Sequence, residues 1–153
     1  MSTHYTLYIP HNLHAALIAH ALVSQPNECC GLLAGRHADA VAHATQYFRL
    51  VNDAGAPSRE YRSDSKSLLA AHRAMRDNGL NLVAVCHSHP TSAAIPSRKD
   101  LADNAYGDSV MHLIISLLDG QPDLKAWWLS DHEFVPGKWQ VGRIGESAAD
   151  QST

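Results

Sequence analysis

The sequence predicts a single α/β domain, in which a mixed β-sheet is flanked by helices. The chain has 153 residues, a length that suits one hydrophobic core. Hydrophobic residues make up 45% of it and charged residues 18%, which is the balance of a globular protein. Strand and helix patterns follow one another in the order β-α-β-β-α-β-α-β-β-β, which is too varied for a simple parallel winding.

The first third of the chain supplies three strands and one helix to this prediction. Residues 5–9 read YTLYI and predict a strand that Pro10 closes. Apolar residues at helical spacing predict a first helix over residues 11–24. The apolar run ECCGLLAG at residues 28–35 predicts a buried strand, and residues 40–52 have strand character.

The rest of the chain predicts two further helices and four further strands. Residues 63–79 begin with serine and aspartate capping candidates and end in Asn-Gly, which predicts a second helix. Residues 80–86 predict a buried strand, and residues 97–108 a short third helix. Three more strands are predicted, with a DGQP turn between the first two: 110–118, 123–130 and 133–141.

Composition also limits the partners and the location that we expect. The net charge is −3 with histidine neutral, and without a basic stripe we expect no nucleic-acid partner. The chain starts with no signal peptide and has no apolar stretch of about 18 residues, so we expect no membrane partner. Cys29, Cys30 and Cys86 are odd in number and two are adjacent, which favours a reduced, cytoplasmic protein.

A candidate metal site follows the predicted strand 80–86 directly. His87 and His89 would lie on one face if the strand continued through them, because alternate side chains of a strand share a face. Asp100 follows in the next predicted helix and is the third candidate ligand. Two imidazoles and one carboxylate suit a catalytic zinc, whose fourth position is left to water, although iron, manganese or cobalt could also bind.

Each of these residues also has an interpretation that needs no metal. A histidine after a buried strand is more often a hydrogen-bonded polar residue than a ligand. Ser97 and Asp100 fit an S-x-x-D capping box ahead of a helix. Glu28 stands beside a buried strand and therefore needs a partner. That partner is either the water of a metal centre, whose proton a carboxylate can accept, or an arginine at the strand edge.

Taken together, Glu28, His87, His89, Ser97 and Asp100 form the pattern E…H-x-H-x7-S-x2-D. This pattern resembles the motif of the JAMM (MPN-plus) metallopeptidases, and the similarity extends over roughly residues 5–140. The chain is most similar to the short bacterial and archaeal members that act on sulfur-carrier proteins. The resemblance implies one MPN domain with a cytidine-deaminase-like fold over residues 1–144, and residues 145–153 form a polar tail that we expect to be disordered.

The resemblance also implies a role for each residue of the motif. His87, His89 and Asp100 match the zinc ligands, Glu28 matches the general acid/base, and Ser97 matches the hydroxyl that stabilises an oxyanion. The implied reaction is hydrolysis of a peptide or isopeptide bond after the C-terminal Gly-Gly of a small β-grasp protein, ubiquitin-like or sulfur-carrying.

Two alternatives to this reaction stay open at the level of sequence. One is a non-catalytic module, stabilised by zinc, that binds a ubiquitin-like protein. The other is a metallopeptidase that acts on free peptides, from the cell wall or associated with phage. A deaminase is excluded because the chain has neither the P-C-x-x-C nor the H-x-E signature.

Overall fold

The computed structural model describes residues 4–142 of the chain, so the predicted tail at 145–153 lies outside the described residues. Within this range one eight-stranded sheet has the strand order β7-β6-β5-β4-β2-β3-β1-β8. The strands are β1 (Thr6–Ile9), β2 (Cys30–Ala38), β3 (Val41–Leu50), β4 (Asn81–His89), β5 (Met111–Ser116), β6 (Asp123–Leu129), β7 (Phe134–Pro136) and β8 (Lys138–Val141). The helices are α1 (His11–Ser24), α2 (Ser65–Asp77) and α3 (Arg98–Ala102).

The sheet is mixed, as the sequence predicts. Strand β1 runs parallel to β3 and β8, and β4 runs parallel to β5, while the remaining neighbours are antiparallel. The prediction of a mixed α/β domain is therefore confirmed.

The first two helices agree with their predictions and pack on opposite faces of the sheet. Leu33 of β2 belongs to one hydrophobic cluster with Leu17 of α1. Leu32, the neighbouring residue, belongs to a second cluster with Met75 of α2. Because successive side chains of a strand point to opposite faces, the two helices cover the two sides of the central strands. The predicted cap of α2 is also present, since the Asp64 side chain accepts a hydrogen bond from the Ser67 amide at 2.9 Å.

The prediction of one strand over residues 133–141 is wrong. The segment forms β7 and β8, which lie at opposite edges of the sheet. Pro136 has no N–H with which to continue a ladder, and the Gly137 amide instead donates to Ala126 at 2.8 Å. Strand β7 ends at Pro136 and β8 begins at Lys138, and a step of two residues spans only about 7 Å. The sheet must therefore curl until its two edges meet at Gly137.

The third helix is shorter than predicted. It ends at Ala102, because the side chain of Asn104 competes for the backbone groups that follow. The Asn104 amide group donates to Gly107 at 2.9 Å, and its carbonyl accepts from Tyr106 at 3.0 Å. Asparagine side chains form such turns readily. Gly107 then adopts a φ of 65°, a conformation that glycine allows at little cost.

None of the helices within residues 4–142 is long and apolar enough to cross a membrane. Strand β4 lies fourth from one edge of the sheet, between β5 and β2. Its carboxyl end opens into the loop over residues 90–97, which leads to α3. The residues of the sequence motif are therefore gathered around the carboxyl end of a central strand.

Candidate metal centre

Strand β4 continues through both histidines of the motif. His87 and His89 are separated by one residue and therefore share a face of the sheet. Their Nε2 atoms are 3.1 Å apart, and only 1% of the His87 side chain and 6% of the His89 side chain is exposed. The condition on which the sequence prediction depended, a strand that runs through residue 89, is met.

Asp100 completes a triangle of donor atoms. Its Oδ2 lies 3.2 Å from the Nε2 atom of His87 and 3.2 Å from that of His89. These three residues form the one group within residues 4–142 whose ligand atoms are clustered closely enough to hold a metal ion. The structure therefore brings together all three ligands that the motif implies.

The loop that carries Asp100 back over the strand end is fixed by three consecutive carbonyl groups. The Ser116 hydroxyl donates to Ser92 at 2.6 Å, and the Trp127 indole donates to Ala94 at 2.8 Å. Between them, Nδ1 of His89 lies 2.8 Å from the carbonyl oxygen of Ala93. These bonds tie the loop to the neighbouring strands β5 and β6 and so fix where α3 begins.

The contact between His89 and Ala93 also fixes the protonation of the imidazole. A carbonyl oxygen only accepts hydrogen bonds, so Nδ1 must carry a proton, and Nε2 is the nitrogen that can bind a metal once it is deprotonated. A metal-binding histidine is oriented in this way, by a hydrogen bond from its other nitrogen to the backbone. Nδ1 of His87 is buried and has no hydrogen-bond partner among residues 4–142, so His87 is held by packing instead.

The donor set and its spacing fit zinc. Zinc binds imidazole nitrogen and carboxylate oxygen at about 2.0–2.2 Å, so two ligands of a tetrahedral ion lie about 3.3–3.6 Å apart. The measured sides of the triangle, 3.1, 3.2 and 3.2 Å, are close to that spacing. Three protein ligands leave one tetrahedral position for water or substrate, which is the pattern of catalytic sites.

The electrostatics of Asp100 keep it ionised. Burial alone would raise the pKa of its carboxyl group, but hydrogen bonds from His87 and His89 outweigh burial and lower the pKa. Burial also lowers the pKa of His87, which favours the neutral imidazole. Burial would also lower the pKa of His89, but hydrogen bonds to Asp100 and to the Ala93 carbonyl outweigh burial and raise it. Metal binds an ionised carboxylate and neutral imidazoles, so His89 must give up its Nε2 proton when an ion binds.

Glu28 reaches this site through the pairing of β2 with β4. Cys30 pairs with His87 in that antiparallel ladder, so two residues earlier Glu28 lies beside His89. Its Oε1 is 3.9 Å from the Nε2 atom of His89. The alternative interpretation of Glu28 requires an ion pair with an arginine. Among the residues that the structure describes, no such ion pair is present.

The Glu28 carboxyl group is suited to moving protons near neutral pH. Its side chain is only 6% exposed, and burial raises the pKa to about 7, with the negative charges of Asp100 and Glu60 adding to the effect and His89 opposing it. A general acid/base works best when its pKa is close to the operating pH. A bound cation would pull this pKa down.

Ser97 and Asp100 form the predicted capping box at the start of α3. The Ser97 hydroxyl oxygen accepts from the Asp100 amide at 3.0 Å, and the Ser97 amide donates to Oδ2 of Asp100 at 2.9 Å. The same Oδ2 atom faces the two histidines. The capping box and the metal-ligand geometry therefore coexist, and the box aims the carboxylate. Because the hydroxyl oxygen uses a lone pair for the cap, its proton stays available to a ligand.

Two residues near the site were not identified from the sequence. Tyr61 stacks on the imidazole of His87, with ring centroids 4.6 Å apart and an angle of 25° between the planes. Asn52 donates a hydrogen bond to the backbone carbonyl of Glu28 at 3.0 Å. The sequence predicts a strand over residues 40–52 and indicates no functional residue there or in the loop that follows. The positions of Tyr61 and Asn52 depend on the path of that loop, and no short motif signals it.

A cleft opens beside the donor triangle. A small cavity of about 20 Å³ is lined by Ser97, Asp100 and residues of the 59–61 segment. Tyr61 also lines a larger cavity of about 510 Å³ that extends away from the site. Ser97 itself is exposed to solvent.

Comparison with known families identifies the architecture. The chain matches the family described as prokaryotic homologs of the JAB domain over residues 10–130. A protein of Desulfitobacterium hafniense, whose structure was determined in solution, superposes with a TM-score of 0.79. It is 27% identical in sequence, and the alignment covers 95% of this chain and 97% of that one.

Two curated relatives are similar at the level of sequence. A Thermus thermophilus protein named "Probable TtuB-protein conjugate cleaving protease" is 36% identical over 97 residues, which cover 63% of this chain and 62% of that protein. The Mycobacterium tuberculosis "CysO-cysteine peptidase" is 36% identical over 99 residues, which cover 65% of this chain and 66% of that protein. The matched part thus spans just under two thirds of the length of each relative.

Proposed function

Because this chain belongs to the family of prokaryotic homologues of the JAB domain, we propose that it is a zinc-dependent peptidase of the JAMM type. The observation that carries the proposal is the buried triangle of His87, His89 and Asp100, with Glu28 beside it. These residues would hold the ion and leave one position open. Bound zinc supplies Lewis-acid chemistry that polarises a carbonyl group and acidifies a water molecule.

The residues of the chain divide the remaining work. Glu28 accepts the proton of the attacking water and delivers it to the leaving nitrogen. Burial raises the pKa of its carboxyl group and a bound cation would lower it again, so both protonation states are accessible. Ser97 donates a hydrogen bond from its hydroxyl group to the oxyanion that develops on the scissile carbonyl. His89 keeps Nε2 directed at the ion through its bond to the Ala93 carbonyl. Tyr61 keeps His87 in place by stacking on its ring.

The proposed substrate is the C-terminal Gly-Gly tail of a small β-grasp protein, ubiquitin-like or sulfur-carrying, with an adduct joined to it. One curated relative is named for cleaving protein conjugates of TtuB, and the other for acting on CysO-cysteine. A Gly-Gly tail suits a narrow cleft beside buried ligands, because glycine lets a backbone approach closely. The cysteines at 29, 30 and 86 are buried free thiols, which fits a protein of the reducing cytoplasm.

A pair of matched substrates tests this assignment. One is a β-grasp carrier that ends in Gly-Gly with a C-terminal cysteine or lysine-linked partner, and the other is the same carrier with Ala-Ala in place of Gly-Gly. We expect mass spectrometry to show release of the adduct from the first only. Binding of the first without cleavage would instead favour the zinc-stabilised binding module. Equal cleavage of both, and of free peptides, would favour a general metallopeptidase.

Replacing Ser97 with alanine should lower kcat by about 10²- to 10³-fold, the usual cost of removing one oxyanion donor. Steady-state kinetics on the Gly-Gly substrate measures this effect. The helix cap is lost as well, at a cost of about 0.5–2 kcal/mol in unfolding free energy, so melting temperatures must be compared in parallel. Ser97→Thr keeps both a hydroxyl donor and a cap and should retain most of the activity. An alanine variant that is folded, zinc-loaded and fully active would exclude the oxyanion role.

A further inference from the structure

Asn52 connects Glu28 to the loop over residues 53–62. Its side-chain amide nitrogen lies 3.0 Å from the carbonyl oxygen of Glu28, 3.3 Å from that of Pro57 and 3.1 Å from that of Glu60. Its side-chain oxygen accepts from the amides of Ala54 at 3.0 Å and Arg62 at 3.1 Å. One half-buried side chain thus makes five hydrogen bonds, all to backbone groups.

The backbone of Glu28 depends on these contacts because it lies outside the sheet. Strand β2 begins at Cys30, so no ladder bond holds residue 28. Its amide donates to the Pro57 carbonyl at 2.8 Å, and its carbonyl accepts from Asn52. Pro57 is itself bound by the same Asn52 amide. Both backbone groups of Glu28 are therefore fixed, directly or through one intermediate, by Asn52.

The metal triangle is held by other elements. His87 and His89 lie on β4, and Asp100 is fixed by the capping box of α3. The hydrogen bonds of Asn52 reach none of these three residues. A change at Asn52 should therefore move Glu28 relative to the ligands while leaving the ligands together.

We propose that Asn52 is a positioning residue that sets where the Glu28 carboxylate stands relative to the metal ligands. The expected effect of Asn52 on kcat rests on the proposed function. Its expected effect on the position of Glu28 does not. An amide suits this role, because it offers two donor protons to three carbonyls and an acceptor to two amides. Aspartate at position 52 would keep the accepting oxygen. Its second carboxylate oxygen would replace the amide nitrogen and face the carbonyl oxygens of Glu28, Pro57 and Glu60, which it would repel.

The test compares Asn52→Asp and Asn52→Ala with wild type in three readouts: kcat and KM on the Gly-Gly substrate, the zinc dissociation constant, and the amide exchange rate of Glu28. We expect kcat to fall roughly tenfold to hundredfold, as for other outer-shell groups and small misplacements. KM and zinc affinity should stay near wild type, and exchange at Glu28 should accelerate. Asn78→Asp is the matched control, since that exposed side chain follows α2 and, among residues 4–142, donates to the Ala74 carbonyl alone.

Unchanged kcat and unchanged exchange at Glu28 in folded variants would overturn the proposal. A parallel loss of zinc affinity and kcat would also overturn it, because Asn52 would then support the fold of the whole site. If the wild type cleaves nothing, the proposed function fails, and exchange at Glu28 alone decides the role of Asn52. If neither variant folds, the Asn52 side-chain amide protons of the wild type decide: they must be protected from exchange, and rapid exchange refutes the role.

Discussion

Replacing Glu28 with glutamine is expected to lower kcat by about 10²- to 10⁴-fold, the usual contribution of a positioned general acid/base. Glutamine has nearly the same shape, but its amide cannot accept and return a proton. The side chain is not one of the three clustered donors, and its Oε1 lies 3.9 Å from Nε2 of His89. Zinc content should therefore stay at one ion per chain while turnover is lost, as metal analysis and single-turnover kinetics would show.

Glu133→Gln is the control for this change. That glutamate lies on the exposed turn between β6 and β7, so the same chemical substitution there should leave kcat unchanged. Glu28→Gln with full activity would refute the proton-transfer role. Loss of zinc together with activity would also refute it, because Glu28 would then act as a ligand or a structural support.

The second large effect is expected from His89→Ala. Removing one of three ligands should weaken zinc binding by more than the roughly 10- to 100-fold that outer-shell mutations cost, and activity should disappear with the metal. In the wild type, zinc at about 100 times its dissociation constant should add about 2.7 kcal/mol to the unfolding free energy. That stabilisation should be absent in the variant, as thermal melts with and without zinc would show.

Loss of the imidazole also has a direct structural cost. The Ala93 carbonyl and the Asp100 carboxylate would each lose a hydrogen-bond partner. Such a bond contributes about 0.5–1.5 kcal/mol, or about 1.5–3 kcal/mol where one group is charged. Asp100→Asn keeps the shape of its side chain and separates ligand loss from this cost. His132→Ala removes an exposed histidine and should leave zinc binding intact. A folded His89→Ala protein that still binds zinc as tightly as wild type would contradict the ligand assignment.

Local patterns predicted most of the fold because they reflect local physics. Period-two and helical apolar patterns located both long helices and the central strands. The prediction over residues 133–141 was wrong because local pattern carries no information on which edge of the sheet a strand joins. Pro136 and Gly137 in the middle of that run were the available signal, since proline interrupts ladders. The Asn104 turn likewise ended α3 early through a side-chain contact that helix propensity does not include.

The motif predicted which residues would meet in space but could not supply their geometry. The antiparallel register between Cys30 and His87 brings Glu28 to the histidines across sixty positions of sequence. The capping box is an alternative to metal binding at the level of sequence. In the structure it is present, and it positions Asp100 to bind a metal. The two are therefore compatible, because one carboxylate oxygen faces both the Ser97 amide and the histidines.

Tyr61 and Asn52 could not have been assigned from the sequence. Each contacts another residue of the site only because of the path of the loop over residues 53–62, and long-range hydrogen bonds rather than periodicity set that path. The Tyr61 ring lies against His87 only because the loop folds back over the face that carries it. A tyrosine in a polar loop and an asparagine after a strand are both common, so their residue types alone carry little functional information.

The most direct test of the metallopeptidase assignment is cleavage by matched zinc-loaded and metal-stripped protein. A β-grasp carrier with an adduct after its C-terminal Gly-Gly is incubated with each form, and the carrier mass is followed over time. We expect the zinc-loaded protein to release the adduct and regenerate the Gly-Gly terminus. The stripped protein should be inactive until zinc is restored. Release at equal rates by both forms, or no release by the zinc-loaded form, would contradict the account.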